Sequence, residues 1–261
     1  MMIDTSARLG AMSTIFLTIT GFSILLSFLI RRLRKEVKDL EQFTDTLRLK
    51  AAAIWEAEIK HPFVLGIADG SLAKDKFKFY LCQDYLFLLD YSRVFAYGVI
   101  KSPDEATMAR FSHLLHETLN TEMELHRGYS RKFGISPAKM AAMPIAPTTH
   151  AYTRHLLHIA QVGTLADLVA GVLPCQWGYW EVATTLAKRG KSPEPLYQEW
   201  IEMYSSDAFG ALGEWLRKLL NRLTAESSQA EKRRLAEHFL TSSRYEYLFW
   251  EMSYNQERWQ I

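Results

Sequence analysis

Leu173-Pro174-Cys175-Gln176-Trp177-Gly178-Tyr179-Trp180-Glu181 sits within residues 164–188, a stretch with no period-two alternation that stops before Gly190. At about 1.5 Å per residue it reads as one helix of roughly seven turns, with glycine as its terminator. Pro174 is then a helix-interior proline. It offers no N–H, and it frees the carbonyl of Ala170, four residues earlier. Directly after it comes Cys175, one of two cysteines in 261 residues. Tyr179 follows one turn later on the same face. The stretch therefore sets a thiol beside a disturbed backbone and among aromatic side chains. Free cysteine is also a common core residue, so the stretch alone leaves both roles open.

Helical patterning continues outward on both sides. Residues 47–60 are Ala-rich and amphipathic and stop at Pro62; Gly66 and Gly70 then read as a turn. Residues 74–101 form a long apolar and aromatic helix. Ser102-Pro103 starts another over 104–133. A short helix or turn over 134–143, then helices over 148–162, 193–205, 207–223 and 228–254, complete the set. No Asn-Gly hairpin signal occurs. The expected fold is an all-α, multi-helix bundle.

Composition narrows the function classes. A net charge of +2 gives no basic surface of the kind that nucleic acid requires. Two cysteines with no Cys-x-x-Cys spacing offer neither a disulfide framework nor a zinc ribbon, as expected of a reduced, intracellular domain. Only one Glu-x-x-His is present, Glu58 to His61, where carboxylate-bridged metal bundles use two; no metal or cofactor is expected.

The N-terminus is different in kind. Residues 9–30 carry no charge, and at about 1.5 Å per residue they would make roughly 33 Å of helix, enough to cross a bilayer core. Arg31, Arg32, Arg34 and Lys35 follow, a cluster that stays on the cytoplasmic side. The expectation is an apolar, candidate membrane-anchoring helix with a basic flank over 1–40. A helical catalytic domain over 41–261 would then face the cytoplasm.

Two carboxylates stand out from their surroundings. Asp84, Phe87 and Tyr91 fall at i, i+3 and i+7 on a helix that is apolar nearly all round. Glu246 lies in Arg244-Tyr245-Glu246-Tyr247-Leu248-Phe249-Trp250, where apolar walls would raise its pKa into the range of a proton donor. Each also admits a structural reading as a carboxylate paired with a cation. Tyr152, Tyr179 and Tyr204 add hydroxyls, though tyrosine is common in cores.

Taken in order, several short pieces resemble the TenA family, also called thiaminase II or aminopyrimidine aminohydrolase. They are His61-Pro62-Phe63 with Gly66 to Leu72; Gln83-Asp84-Tyr85; Glu122 to His126; Tyr152-Thr153; Leu173-Pro174-Cys175; Tyr204-Ser205-Ser206; and Ser243 to Trp250. The resemblance implies a haem-oxygenase-like helical fold without haem, and a homotetramer. It implies hydrolysis of 4-amino-5-aminomethyl-2-methylpyrimidine, and of thiamin, in thiamin salvage. By position, Cys175 would add to the ring at C6 and Glu246 would shuttle protons. Asp84 would clamp the ring nitrogen and amine, and Tyr152 would orient the substrate. Tyr204 would bond near the sulfur, and Tyr179, Phe87 and Phe249 would line the pocket. Phe87 stands where many members carry Tyr. The rival expectation is a membrane-tethered module that binds a pyrimidine without turning it over.

Overall fold

The computed structural model describes residues 42–260. The helices are α1 (Phe43–Lys50), α2 (Ala52–Ile59), α3 (Pro62–Asp69), α4 (Lys74–Lys101), α5 (Glu105–Glu117), α6 (Met123–Lys132), α7 (Pro137–Ala141), α8 (Pro147–Val162), α9 (Leu165–Ala187), α10 (Pro195–Tyr204), α11 (Asp207–Leu223) and α12 (Gln229–Asn255). No strand occurs among the described residues. The chain divides between Thr46 and Leu47, and the unit from Leu47 onward contains every helix after α1. The apolar run over 9–30, with its expected anchor, lies outside the described residues. Among those described, no helix is long and apolar enough to cross a membrane.

Local chemistry sets the helix ends. Thr164 and Asp167 form a capping box at the start of α9, and Ser228 and Glu231 form another at α12. Arg234 of α12 reaches Asp167 with Nε at 2.8 Å, which ties the two caps together. Pro62 opens α3 at a position where its missing N–H costs nothing. His61 caps that helix by accepting the Phe63 N–H on Nδ1. The turn read over Gly66 and Gly70 is corrected here. Gly66 lies inside α3, where a side chain would strike Leu72, and only Gly70 leaves the helix, at φ 77°. His61 Nε2 pairs with Glu251, while Glu58 is buried beside Trp250, so the lone Glu-x-x-His does not converge.

Two long runs are interrupted. The run over 47–60 has a joint at Ala51, yet its N–H still donates to Leu47 O at 3.0 Å, so α1 and α2 stay in line. The run over 104–133 holds a π-turn, Thr118–Glu122, between α5 and α6. Such one-turn insertions rotate the helix face that follows.

The bundle is centred on α4, α9 and α12. α9 packs on α12 and α11, and α4 on α8 and α5. Between them lies an aromatic core. Trp200 and Trp250 are almost completely buried, and Trp200 Nε1 donates to the Tyr80 hydroxyl at 3.2 Å. Pairs such as Tyr80–Trp250 and Phe77–Tyr197 contribute about 0.5–1.5 kcal/mol each beyond their buried area.

Candidate active site

A narrow pocket opens between α4, α9 and α10, lined by Asp84, Phe87, Tyr91, Glu122, Cys175 and Tyr179 among others. The face of α4 read from the spacing of Asp84, Phe87 and Tyr91 is the face turned to this space. Phe87 stacks on Tyr91 with centroids 5.2 Å apart, which gives the cavity a flat apolar wall.

The two cysteines part ways. Cys82 is fully buried against Ile135 and Met140, and burial pushes its thiol up to about 11. Cys175 keeps some accessible surface and lines the cavity. Burial, with the carboxyls of Glu246, Glu122 and Asp84 around it, pushes its thiol well above the ordinary range. The Tyr91 hydroxyl, close to the sulfur, works the other way. Tyr91 also donates to Val172 O at 3.2 Å, on the turn of α9 that precedes the cysteine.

Glu246 is buried behind the thiol. Burial raises its carboxyl to about 8, against the hydrogen bonds from Tyr152 and Cys175; the Asp84 charge adds to the rise. The Tyr152 hydroxyl donates to Glu246 Oε1 at 2.5 Å, and its ring stacks on Tyr245. Tyr152 thus holds Glu246 and is not among the cavity-lining residues. Phe249 packs behind Phe87 at 5.8 Å and is likewise set back from the space.

Asp84 has a partner that carried no role in the sequence reading. His126 Nε2 lies 2.7 Å from Asp84 Oδ2, and His126 Nδ1 lies 2.9 Å from Glu122 O. Both ring nitrogens face acceptors, so the imidazolium suits the site. Burial opposes that charge, but the bond to Asp84 and the charges of Asp84 and Glu122 hold the His126 pKa above its ordinary value. Glu122 itself also lines the cavity. Burial and the Asp84 charge raise it to about 7, with His126 and Tyr204 working against the rise. Tyr204 donates to Glu122 Oε1 at 3.0 Å, so its polar contact is this carboxyl, whereas the resemblance had put it beside the sulfur. Glu122 and His126 are spaced i, i+4 within one of the pieces that carry the family resemblance, and that is how the sequence joins them. The π-turn that aims them has no signature in the sequence.

A second pocket, of about 180 Å³, adjoins the first and shares Glu122, Gln176 and Phe209 with it; His113, Glu117 and Met203 are among its other walls. The inner pocket thus joins polar side chains to a flat aromatic wall, and the second pocket forms a wider antechamber to it. Among the described residues, no group of three or more His, Cys, Asp or Glu side chains could hold a metal ion.

Comparison with known proteins agrees with this architecture. The family model described as the TENA/THI-4/PQQC family matches residues 48–256. A curated protein of Halalkalibacterium halodurans named aminopyrimidine aminohydrolase is 50% identical over 218 residues, 83% of this chain and 97% of that protein. The crystal structure of a TenA family transcription regulator from a Silicibacter species is 32% identical with a TM-score of 0.76, covering 82% of this chain and 97% of the other. A Shewanella denitrificans domain with a heme oxygenase-like fold superposes with a TM-score of 0.65 at 14% identity, over 82% of this chain and 92% of that one, which speaks for the fold alone. With the family's pattern matched over four-fifths of its length and an all-helical fold of the haem-oxygenase-like type, the chain belongs to the TENA/THI-4/PQQC family.

Proposed function

We propose that this chain is a hydrolase of aminopyrimidines in thiamin salvage. It would convert 4-amino-5-aminomethyl-2-methylpyrimidine to the 5-hydroxymethyl compound and ammonia, and also cleave thiamin. The supporting observation is one cavity in which a nucleophilic thiol, Cys175, and a carboxylate clamp, Asp84, meet across a flat aromatic wall. The naming of the Halalkalibacterium halodurans relative as an aminopyrimidine aminohydrolase agrees with it.

The chemistry follows from the charge states. Asp84, bonded to His126, accepts the N–H of the 4-amino group, and Phe87 and Tyr179 flank the ring. Cys175 rests as a thiol, because burial and three nearby carboxyls disfavour its anion. It therefore attacks as its proton leaves. The sulfur pair forms the bond to C6, the C6–N1 π pair moves to N1, and Glu246 gives N1 a proton while taking the one from sulfur. A neutral carboxyl near pH 7 can do both. The 4-amino lone pair then expels the group on the C5 methylene, and the charge that develops on that nitrogen faces Asp84. Water adds to the exocyclic methylene, and reversal of the first step releases Cys175. Tyr152 positions Glu246, and Phe249 supports Phe87.

The test is ammonia release from the aminomethyl pyrimidine by wild type and Cys175→Ala. Wild-type turnover and its loss by at least about 10³-fold in the variant are expected. Near-normal turnover in Cys175→Ala would falsify the covalent route, and pyrimidine binding without any wild-type turnover would favour a binding module. We assign the chain, on the same footing, to a cytoplasmic homotetramer whose residues 9–30 contact the membrane. Sedimentation of full-length protein with and without vesicles tests both points.

A further inference from the structure

We propose that Glu122 is the catalytic residue that protonates the departing amine, and that its carboxylate then takes the proton of the incoming water. This rests on the aminopyrimidine reading above and adds a residue to it.

The argument is one of ring geometry. On the pyrimidine, C5 lies between C4, which carries the amino group, and C6. Asp84 engages the first and Cys175 attacks the second, so the C5 substituent projects from between those two side chains. Glu122, like Glu246, is close enough for its charge to interact with both of them, but unlike Glu246 it lines the pocket. A single imidazole joins it to Asp84, with His126 Nδ1 on the Glu122 carbonyl at 2.9 Å and Nε2 on Asp84 at 2.7 Å. Glu122 also lines both the ring cavity and the wider antechamber, where a departing group must pass. Its Oε1 is held by the Tyr204 hydroxyl at 3.0 Å, which leaves Oε2 to meet a ligand. Glu246 cannot serve both ends, since it is buried behind the sulfur and bonded to Tyr152 and Cys175.

The step balances without a co-reactant. The C–N bond breaks with its electron pair on nitrogen, Glu122 supplies the proton, and ammonia leaves. When water attacks the exocyclic methylene, the Glu122 carboxylate removes a proton from it and is restored. Burial and the Asp84 charge raise the Glu122 carboxyl to about 7, so it can hold and release a proton near neutral pH.

Thiamin provides the control. Its leaving group is a neutral thiazole expelled from a thiazolium, which needs no proton. The experiment measures kcat/KM of wild type and Glu122→Gln for the aminomethyl pyrimidine and for thiamin. This parameter reports steps up to departure of the leaving group and excludes the later attack of water. The loss for the amine should exceed the loss for thiamin by about 10²-fold, the usual scale of general acid catalysis. Equal losses for both substrates, or no loss for the amine, would overturn the proposal. The ratio is independent of the folded fraction, and Glu122→Ala, read in the same way, covers a variant too unstable to purify. Failure of wild type on both substrates would instead sink the aminopyrimidine reading.

Discussion

Asp84, Glu122 and Cys175 line one pocket with Glu246 buried behind the thiol, and each of the four has its own hydrogen-bond partners. Asp84 has a hydrogen-bonded imidazole, whereas Glu246 and Glu122 face hydroxyls and, for Glu246, a thiol. On the proposed reading, this division sets the imidazole-bonded carboxyl where a substrate amine would bind and the raised carboxyls where protons would move. Holding Glu246 above its ordinary pKa costs stability. Below about pH 4.5 both folded and unfolded chains keep its proton, and nothing is lost. As pH rises, the unfolded carboxyl ionises first, so the penalty on the folded state grows until the pH reaches about 8 and stays at its full size above that. Glu246→Gln should therefore raise Tm at pH 8 and leave it nearly unchanged at pH 4. The gain is at most about 5 kcal/mol, with turnover lost. Thermal unfolding at the two pH values checks this, and an equal shift at both would count against a buried neutral acid. Asp84 and Cys175 were legible as odd residues in apolar helices. That the Tyr204 hydroxyl serves Glu122 was not, because a hydroxyl's partner depends on which helix lies opposite.

Whole helices were the most legible scale, since a 3.6-residue period and its caps are local. Residues 74–101 were read as they stand in α4. The π-turn at Thr118–Glu122 was not foreseen, because it differs from an α-helix only in hydrogen-bond register, and its residues are ordinary helix formers. Packing between elements sets a further constraint. Gly98 of α4 lies against the Phe111 ring of α5, and a Cβ there would overlap the ring. Phe111 is itself closed in by Phe95 and Trp215, so it has little room to yield. Gly98→Ala should cost about 1–3 kcal/mol, as overpacking does, despite the better helix propensity of alanine. Urea titration should show a lower midpoint with an unchanged m-value. A rise in the midpoint would mean that α5 can shift.

Across the whole molecule, every residue assigned to the reaction lies between positions 84 and 249, and the family match spans 48–256. Removing residues 1–40 should therefore leave kcat/KM for the aminomethyl pyrimidine within about twofold, since the segment lies outside the family match. A loss above about tenfold on a correctly folded truncation would show that the segment contributes to the site. The sequence alone determined the helical class, most helix limits, and the candidate thiol and carboxylates. Periodicity, capping and the cost of an isolated polar side chain are properties of a few adjacent residues. Tertiary structure decided which of them meet. It brought Glu122 and His126 to Asp84, put Tyr152 behind Glu246, and turned one cysteine into the core and the other onto a cavity. Those outcomes depend on crossing helices and on one inserted π-turn, and long-range packing of that kind has no period to read.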